Sequence, residues 1–228
     1  MSDLGGFPRT DYDAEGIDPS TVASAPWAEI RRWVGEAVAA AEVTPGLAEP
    51  TAVSVATVDA DGMPNVRTVL ARFLDERGPG FVSSLHSAKA AEIGANPRIA
   101  LAYTWPGLFR AIRFRGVADR LGDAELRDYW RTRPYGSRIA ACASLQSHPV
   151  ESREALEQRF AEWAARYPDT GDDAVPMPAD FCGWRVRASE VELWAGRRSR
   201  LHDRVVYTRV GDGTLVDPSS WRVERRQP

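Results

Sequence analysis

The apolar positions of this chain repeat with two periods, and the switches between them mark out its elements. After a polar stretch rich in Gly, Pro, Asp and Ser, Pro26 opens a helix to about Ala41. Its apolar residues Trp27, Ile30, Val34, Ala37, Val38 and Ala41 recur at helical spacing. From Thr51 to Asp59 the period shortens to two, with Val53, Val55 and Thr57 alternating against Ser54, Ala56 and Val58, which predicts a strand. Asp59-Ala60-Asp61-Gly62 predicts a hairpin turn, Val66 to Leu74 the return strand, and Gly80 to Ser84 a third strand. Ser87 suits the cap of a short helix, Ala88 to Ala95, that Asn96-Pro97 ends. Ile99 to Trp105 and Phe109 to Leu121 read as strands. A helix carrying Leu126, Tyr129 and Trp130 starts at Gly122-Asp123 and ends near Arg133-Pro134. Glu151 to Tyr167 reads as an amphipathic helix through Leu156, Phe160, Trp163 and Ala164, and Phe181 to Trp194, Arg204 to Val210 and Trp221 to Arg226 as further strands.

Strands joined by hairpins with helices inserted between them predict an antiparallel, β-rich α+β fold. Closure into a barrel spares so many strands an exposed edge. Residues 1–25 read as a flexible N-terminal arm and 26–228 as a single domain without internal repeats.

Composition narrows the function. The 228 residues carry 29 Lys+Arg against 32 Asp+Glu, a formal net charge of −3, which argues against a general nucleic-acid binder. No uncharged run approaches the ~18 residues of a membrane-spanning helix, and no secretory signal is visible at the start, so a cytoplasmic protein is expected. Two cysteines, Cys142 and Cys182, are too few for a disulfide scaffold, and His86, His148 and His202 lack metal-ligand spacing, so no metal is expected. Dinucleotide-binding, phosphate-loop and nucleophile-elbow motifs are absent. Almost every basic residue is arginine, and Lys89 is the only lysine.

Several short segments place cations beside small hydroxyl residues. In Arg67-Thr68-Val69-Leu70-Ala71-Arg72, a regular strand would point Arg67 and Arg72 to opposite faces, so a bend or separate ligands are implied. Ser87-Ala88-Lys89 combines a hydroxyl, an ammonium and the backbone N–H groups of a helix start, a set suited to an anion. Tyr129 and Arg133 share a helix face and, with Ser137, offer donors for a second phosphate. Ser144-Leu145-Gln146-Ser147 adds amide and hydroxyl donors, and Trp194 to Arg204 a loop with an aromatic, arginines and His202. Two anion sites and an aromatic together suggest a protein that holds phosphorylated, planar molecules.

With these segments in register from Trp27 to Pro228, the chain resembles the pyridoxine/pyridoxamine 5′-phosphate oxidase family, flavoenzymes with an FMN-binding split barrel. The resemblance rests on Arg67-Thr-Val-Leu, Ser87-Ala-Lys89, Asn96-Pro97, Arg133-Pro134 with Ser137, Gln146-Ser147, Arg200-Leu-His-Asp-Arg204 and the ending Trp221 to Pro228. Arg9-Thr-Asp-Tyr12 is similar, more loosely, to the N-terminal Arg and Tyr that the family folds over its substrate.

The resemblance implies that Arg67 and Lys89 hold the FMN phosphate and that Ser84 contacts the cofactor. Gln146 and Ser147 would reach FMN from a partner subunit, and Trp194 and Arg204 would line the flavin. Arg72, Tyr129, Arg133 and Ser137 would bind the substrate phosphate, and Arg200 and His202 would bind the substrate and act at its reacting carbon. It implies a homodimer, without nucleic-acid or membrane partners, that oxidises pyridoxine or pyridoxamine 5′-phosphate to pyridoxal 5′-phosphate, with oxygen as acceptor and peroxide as by-product. The sequence departs from the family pattern at Arg72 (a lysine there), Ala88 (an arginine), Ala111 (a glutamine) and Ser83-Ser84-Leu85 (a Tyr-Thr-Asn stretch), which erodes the flavin side. Two alternatives accompany this reading: a related oxidase of a secondary metabolite, as in phenazine biosynthesis, whose branch also lacks that lysine, and a non-catalytic binder of pyridoxal phosphate or flavin.

Overall fold

The computed structural model describes residues 10–43, 49–171 and 174–228. In the described residues five α-helices and nine strands follow one another as α1 (Trp27–Ala41), β1 (Ala52–Val58), β2 (Pro64–Leu70), β3 (Phe73–Asp75), β4 (Gly78–Ser84), α2 (Ala88–Ala95), β5 (Arg98–Trp105), β6 (Arg110–Arg120), α3 (Asp123–Thr132), α4 (Tyr135–Ala143), α5 (Arg153–Arg166), β7 (Phe181–Ala195), β8 (Asp203–Arg209) and β9 (Trp221–Arg226). The strands form one sheet in the order β2-β1-β5-β6-β7-β4-β3, with β8 on β7 and β9 on β8. The pairs β3–β4, β4–β7, β7–β8 and β8–β9 are antiparallel. The described residues fall into two compact units, one within 1–54, 101–115 and 188–228, the other within 55–100 and 116–187.

In the first unit α1 buries Ile30, Trp33 and Ala37. The i, i+3, i+7 row chosen by the fold runs through Trp33 instead of Val34, and Val38 is left 43% exposed. Tyr207 donates to Ala23 O at 2.9 Å, and Trp105 Nε1 to Pro50 O at 2.9 Å, so the polar tips of two buried aromatics are satisfied.

Residues 10–25, expected from their composition to be an arm, make contacts with the rest of the first unit. Ala14, Ile17 and Ala25 are buried, and Ala14 N donates to Gly196 O at 3.1 Å. Asp13 and Asp18 pair with Arg198 at 2.8 Å and Arg225 at 2.7 Å. A few apolar residues and two placed carboxylates supply these contacts in a stretch of high average polarity. Arg9 lies outside the described residues.

In the second unit β1 and β2 meet at the predicted turn, where Gly62 takes φ +84° and donates to Asp59 O at 3.1 Å. The return strand breaks at Ala71-Arg72 into β2 and β3, and Arg72 N donates to Gly80 O at 2.8 Å. Leu121, Leu126, Trp130, Ile139, Val175 and Phe181 form the core beneath α3 and α4. Helix α4 is an addition to the sequence reading. Pro134 ends α3 and serves as the cap of α4, whose Ile139 and Ala143 are buried one turn apart. Helix α5, although amphipathic, buries no residue fully.

Candidate active site

In the second unit α2 is the organising element. Ser87 caps it by accepting from Ala90 N at 3.3 Å. Two residues on, Lys89 is half-buried, and its Nζ donates to Ser83 Oγ at 2.9 Å and Gln146 Oε1 at 3.2 Å. It makes no ion pair among the described residues. Burial, and then the charge of Arg67, push the Lys89 ammonium below the ordinary lysine value. Ser147, in the left-handed region at φ +68°, accepts from Ala88 N at 3.1 Å, so this loop closes over the first turn of α2. Arg67, Lys89, Gln146 and Ser147 line one cleft of about 610 Å³, together with Asn65, Thr68 and Ser144. An uncompensated ammonium, a guanidinium, hydroxyls and a helix N-terminus form a donor set that fits a phosphate. Gln146 and Ser147 line this cleft from the same chain as Arg67 and Lys89.

Arg67 reaches the cleft from β2 but is not free in it. Its Nη2 pairs with Glu92 Oε2 at 2.6 Å, and its Nη1 donates to Thr57 Oγ1 and to Val55 O at 3.3 Å. Glu92, on α2, also accepts from Thr57 Oγ1 and from Asn65 Nδ2 at 2.8 Å. Burial alone would raise the Glu92 carboxyl. The hydrogen bonds from Thr57, Asn65 and Arg67 outweigh it and hold the group below its ordinary value.

A smaller pocket of about 80 Å³ adjoins this cleft, sharing Val82 and Gln146 with it and reaching Ser83, Ser84, Arg133 and Asp180. The Arg133 guanidinium lies 5.7 Å from the ring centroid of Tyr129, 5.6 Å from that of Trp130 and 5.4 Å from that of Phe181. Its Nη2 donates to Ser137 O at 2.7 Å, while its buried Nε has no hydrogen-bond partner. Tyr129, Arg133 and Ser137 thus lie together, and Arg133 is the one of the three that lines this pocket. Arg72 does not join them: the bend between β2 and β3 leaves its side chain exposed, lining neither pocket. Ser84 is also placed differently. It donates to Asp180 Oδ2 and accepts from His86 N at 3.1 Å, and its neighbour Ser83 is the hydroxyl that meets Lys89.

The remaining predicted residues belong to the first unit. Trp194, on β7, lies 4.8 Å from His202, ring centroid to ring centroid, and Tyr12 lies 5.5 Å from His202 on the same measure. The Arg200 guanidinium sits 4.8 Å from the Tyr12 centroid, with Arg200 in the left-handed region at φ +64°. Burial, and then the Arg200 charge, lower the His202 pKa. Arg204 forms a two-point pair with Glu192, Nε to Oε1 at 2.7 Å and Nη2 to Oε2 at 3.0 Å, and Arg113 shares that carboxylate. The guanidinium expected beside the flavin is committed to a buried acid. Ala111, on β6, brings no donor.

Sequence reasoning missed Thr57, Asn65, Ser83, Glu92, Asp180 and Glu192. Only Glu92 carried a local signal, three residues after Lys89 on the same helix. Asn65, Asp180 and Glu192 meet their partners from other elements, Thr57 meets Arg67 across a hairpin, and Ser83 meets Lys89 from the strand that precedes α2.

A sequence profile described as "Pyridoxamine 5′-phosphate oxidase" matches residues 39–167, and one described as "Pyridoxine 5′-phosphate oxidase C-terminal dimerisation region" matches residues 181–228. A pyridoxine/pyridoxamine 5′-phosphate oxidase of Kineococcus radiotolerans is 45% identical over 222 residues, covering 96% of this chain and 97% of that protein. One of Rubrobacter xylanophilus is 42% identical over 226 residues, covering 99% and 97%. Among solved structures, PhzG of Burkholderia lata in complex with tetrahydrophenazine-1-carboxylic acid superposes with a TM-score of 0.82 at 28% identity, over 96% of this chain and all of that one. An FMN-binding protein of Nostoc punctiforme related to pyridoxamine 5′-phosphate oxidase gives 0.66 at 19% identity over 91% of this chain and all of that one, a likeness of fold. The fold is the antiparallel split barrel expected from the sequence.

Proposed function

The chain belongs to the pyridoxine/pyridoxamine 5′-phosphate oxidase family, a family of FMN-dependent oxidases, and from that premise we propose that it oxidises pyridoxine or pyridoxamine 5′-phosphate to pyridoxal 5′-phosphate as a homodimer in the cytoplasm. One observation carries this reading: two adjoining pockets share Gln146, one with Lys89 and Arg67 and the other with Arg133. Two phosphorylated ligands held side by side need such a pair of cationic pockets. Lys89, Arg67, Ser83, Gln146 and Ser147 are the residues suited to the FMN phosphate. Arg133, backed by three aromatic rings, with Tyr129 and Ser137, is suited to the substrate phosphate. FMN held there would supply the redox chemistry, the two-electron oxidation at the substrate's exocyclic carbon with oxygen as the final acceptor.

The protein's own part is to orient the substrate. Phosphate binding at Arg133 supplies the anchoring energy, and Arg200 and His202 are the candidates to orient the pyridine ring and accept the proton. His202 accepts the Arg197 backbone N–H at 3.0 Å through Nδ1, which places its proton on Nε2 in the neutral ring. The C-terminal match to a dimerisation region supports the homodimer, and two free cysteines suit a reducing cytoplasm. No helix of the described residues is long and apolar enough to cross a membrane.

The test is aerobic turnover of pyridoxine 5′-phosphate by FMN-reconstituted protein, followed as pyridoxal phosphate formation. Turnover lost on Arg200→Ala bears the reading out, and FMN-loaded protein without turnover rejects it. A second reading, oxidation of an aromatic secondary metabolite, is favoured by the likeness to PhzG and by the exposed Arg72. It leaves the Arg133 pocket without a phosphate to hold.

A further inference from the structure

Arg67 is held along one edge only. Its Nη1 hydrogens are taken by Val55 O and Thr57 Oγ1, and one Nη2 hydrogen by Glu92 Oε2. Nothing among the described residues accepts from its Nε or from the second Nη2 hydrogen. These two N–H groups form the side-on edge of a guanidinium, the edge that binds a phosphate at two points.

The acid responsible is deeply set. Glu92 is 8% exposed, and both its oxygens are engaged, Oε1 by Asn65 and Oε2 by Thr57 and Arg67. A bare carboxylate this close to a phosphate site would repel the ligand. Three donors neutralise this one, and Thr57, itself 1% exposed, ties it to β1.

From this geometry we infer that Glu92 is a positioning residue for cofactor binding. It occupies the end-on edge of Arg67 and thereby turns the side-on edge to the phosphate of the cofactor. The inference rests on the reading of the Lys89 cleft as the FMN-phosphate site. It assigns the discrimination between FMN and its dephosphorylated form to a residue that touches neither.

The test compares binding of FMN and of riboflavin, by quenching of flavin fluorescence, for the full-length apoprotein and three variants at one ionic strength. Glu92→Ala releases Arg67 and lowers FMN affinity about tenfold, the scale of one charge-assisted hydrogen bond, with riboflavin affinity unchanged. Glu92→Gln keeps the reach and an acceptor oxygen and retains FMN affinity to within about threefold. Glu92→Asp keeps the charge, loses the reach and behaves like Glu92→Ala. Should Glu92→Ala not fold, as judged by its thermal melt, the Gln and Asp variants still decide. Equal loss for FMN and riboflavin, or retention by Asp with loss by Gln, overturns the inference, because charge or general packing then explains the effect. A wild-type protein that does not prefer FMN to riboflavin rejects the cofactor reading itself, whatever the variants do.

Discussion

His202 and Arg197 are joined by a single hydrogen bond, the backbone N–H of Arg197 donating to Nδ1 at 3.0 Å. The bond favours a neutral ring with its proton on Nε2. Burial and the nearby Arg200 charge act in the same direction, lowering the ring's pKa from 6.5. The acid limb of the turnover profile, where His202 gains a proton, is therefore expected to be centred below pH 6.5. Stability follows the same sign. The unfolded chain takes up this proton first, so the contribution is present above 6.5 and lost as pH falls. Steady-state rates between pH 5 and 8 check the first point, and a limb centred above 6.5 would contradict it.

Lys89 should control phosphate affinity more than any other cation of its cleft, because Arg67 is already paired and Ala88 brings no charge. Lys89→Met is expected to weaken FMN binding by about ten- to a hundredfold, the range of one or two charge-assisted hydrogen bonds, and to leave riboflavin binding nearly unchanged. Because burial lowers its pKa from 10.5, wild-type FMN affinity should fall as pH rises at values where an ordinary lysine stays charged. Titration of FMN fluorescence from pH 7 to 10 measures this, and a flat profile to pH 10 would remove Lys89 from the role.

Most of the strands, the hairpin at Gly62 and the cap at Ser87 were legible in the sequence because each depends on neighbours within a few residues. Tyr129, Arg133 and Ser137 were legible for the same reason, being spaced by helical turns on either side of Pro134. The acids that hold the arginines were not. Glu192 meets Arg204 across β7 and β8, and Glu92 meets Arg67 from helix α2, so the first partner emerges only from the sheet register and the second only from the packing of α2. Ser84 and Ser83 differ by one position, and alternation along β4 decides which faces Lys89, a choice that composition does not encode. The contacts of residues 10–25 were not legible either, because they rest on a few side chains, Ala14 and Ile17 among them, within a polar stretch.

Glu192 is expected to be a stability residue. Its side chain is 5% exposed and carries two arginines, Arg113 and Arg204. Burial would raise this carboxyl, but the bonds from Arg204 and Arg113 prevail and hold it below its ordinary 4.5. Its contribution is thus present above pH 4.5 and lost as pH falls through the lowered folded value. Removing one partner of a fully buried pair costs ~3–5 kcal/mol. Because Arg113 is half exposed, Glu192→Ala should cost about 2–3 kcal/mol. Urea unfolding at pH 7 and pH 4 tests both statements, and a cost for Glu192→Ala that does not shrink at the lower pH would sink the second.

Tyr12 depends on the smallness of Gly196. A Cβ there would lie 2.9 Å from Tyr12 Cδ2 and 3.0 Å from Phe109 Cβ, and Tyr12 and Phe109 are stacked at 4.8 Å. Gly196 also fixes the segment through its carbonyl, which accepts Ala14 N at 3.1 Å. Gly196→Ala should therefore push Tyr12 out of its stack at a cost of about 1–3 kcal/mol, the usual range for overpacking. The cost should fall on the local docking of residues 10–18 more than on global stability, because the overlap is with Tyr12 and Phe109 rather than with the strands of the sheet core. Faster amide exchange at Ala14 and proteolysis confined to residues 10–18, with an unchanged global melt, are the expected results. Since Tyr12 also carries the Arg200 guanidinium, the variant should raise KM for the phosphorylated substrate several-fold with a smaller effect on kcat. A variant that keeps Ala14 protected from exchange would show that Tyr12 holds its place without the glycine.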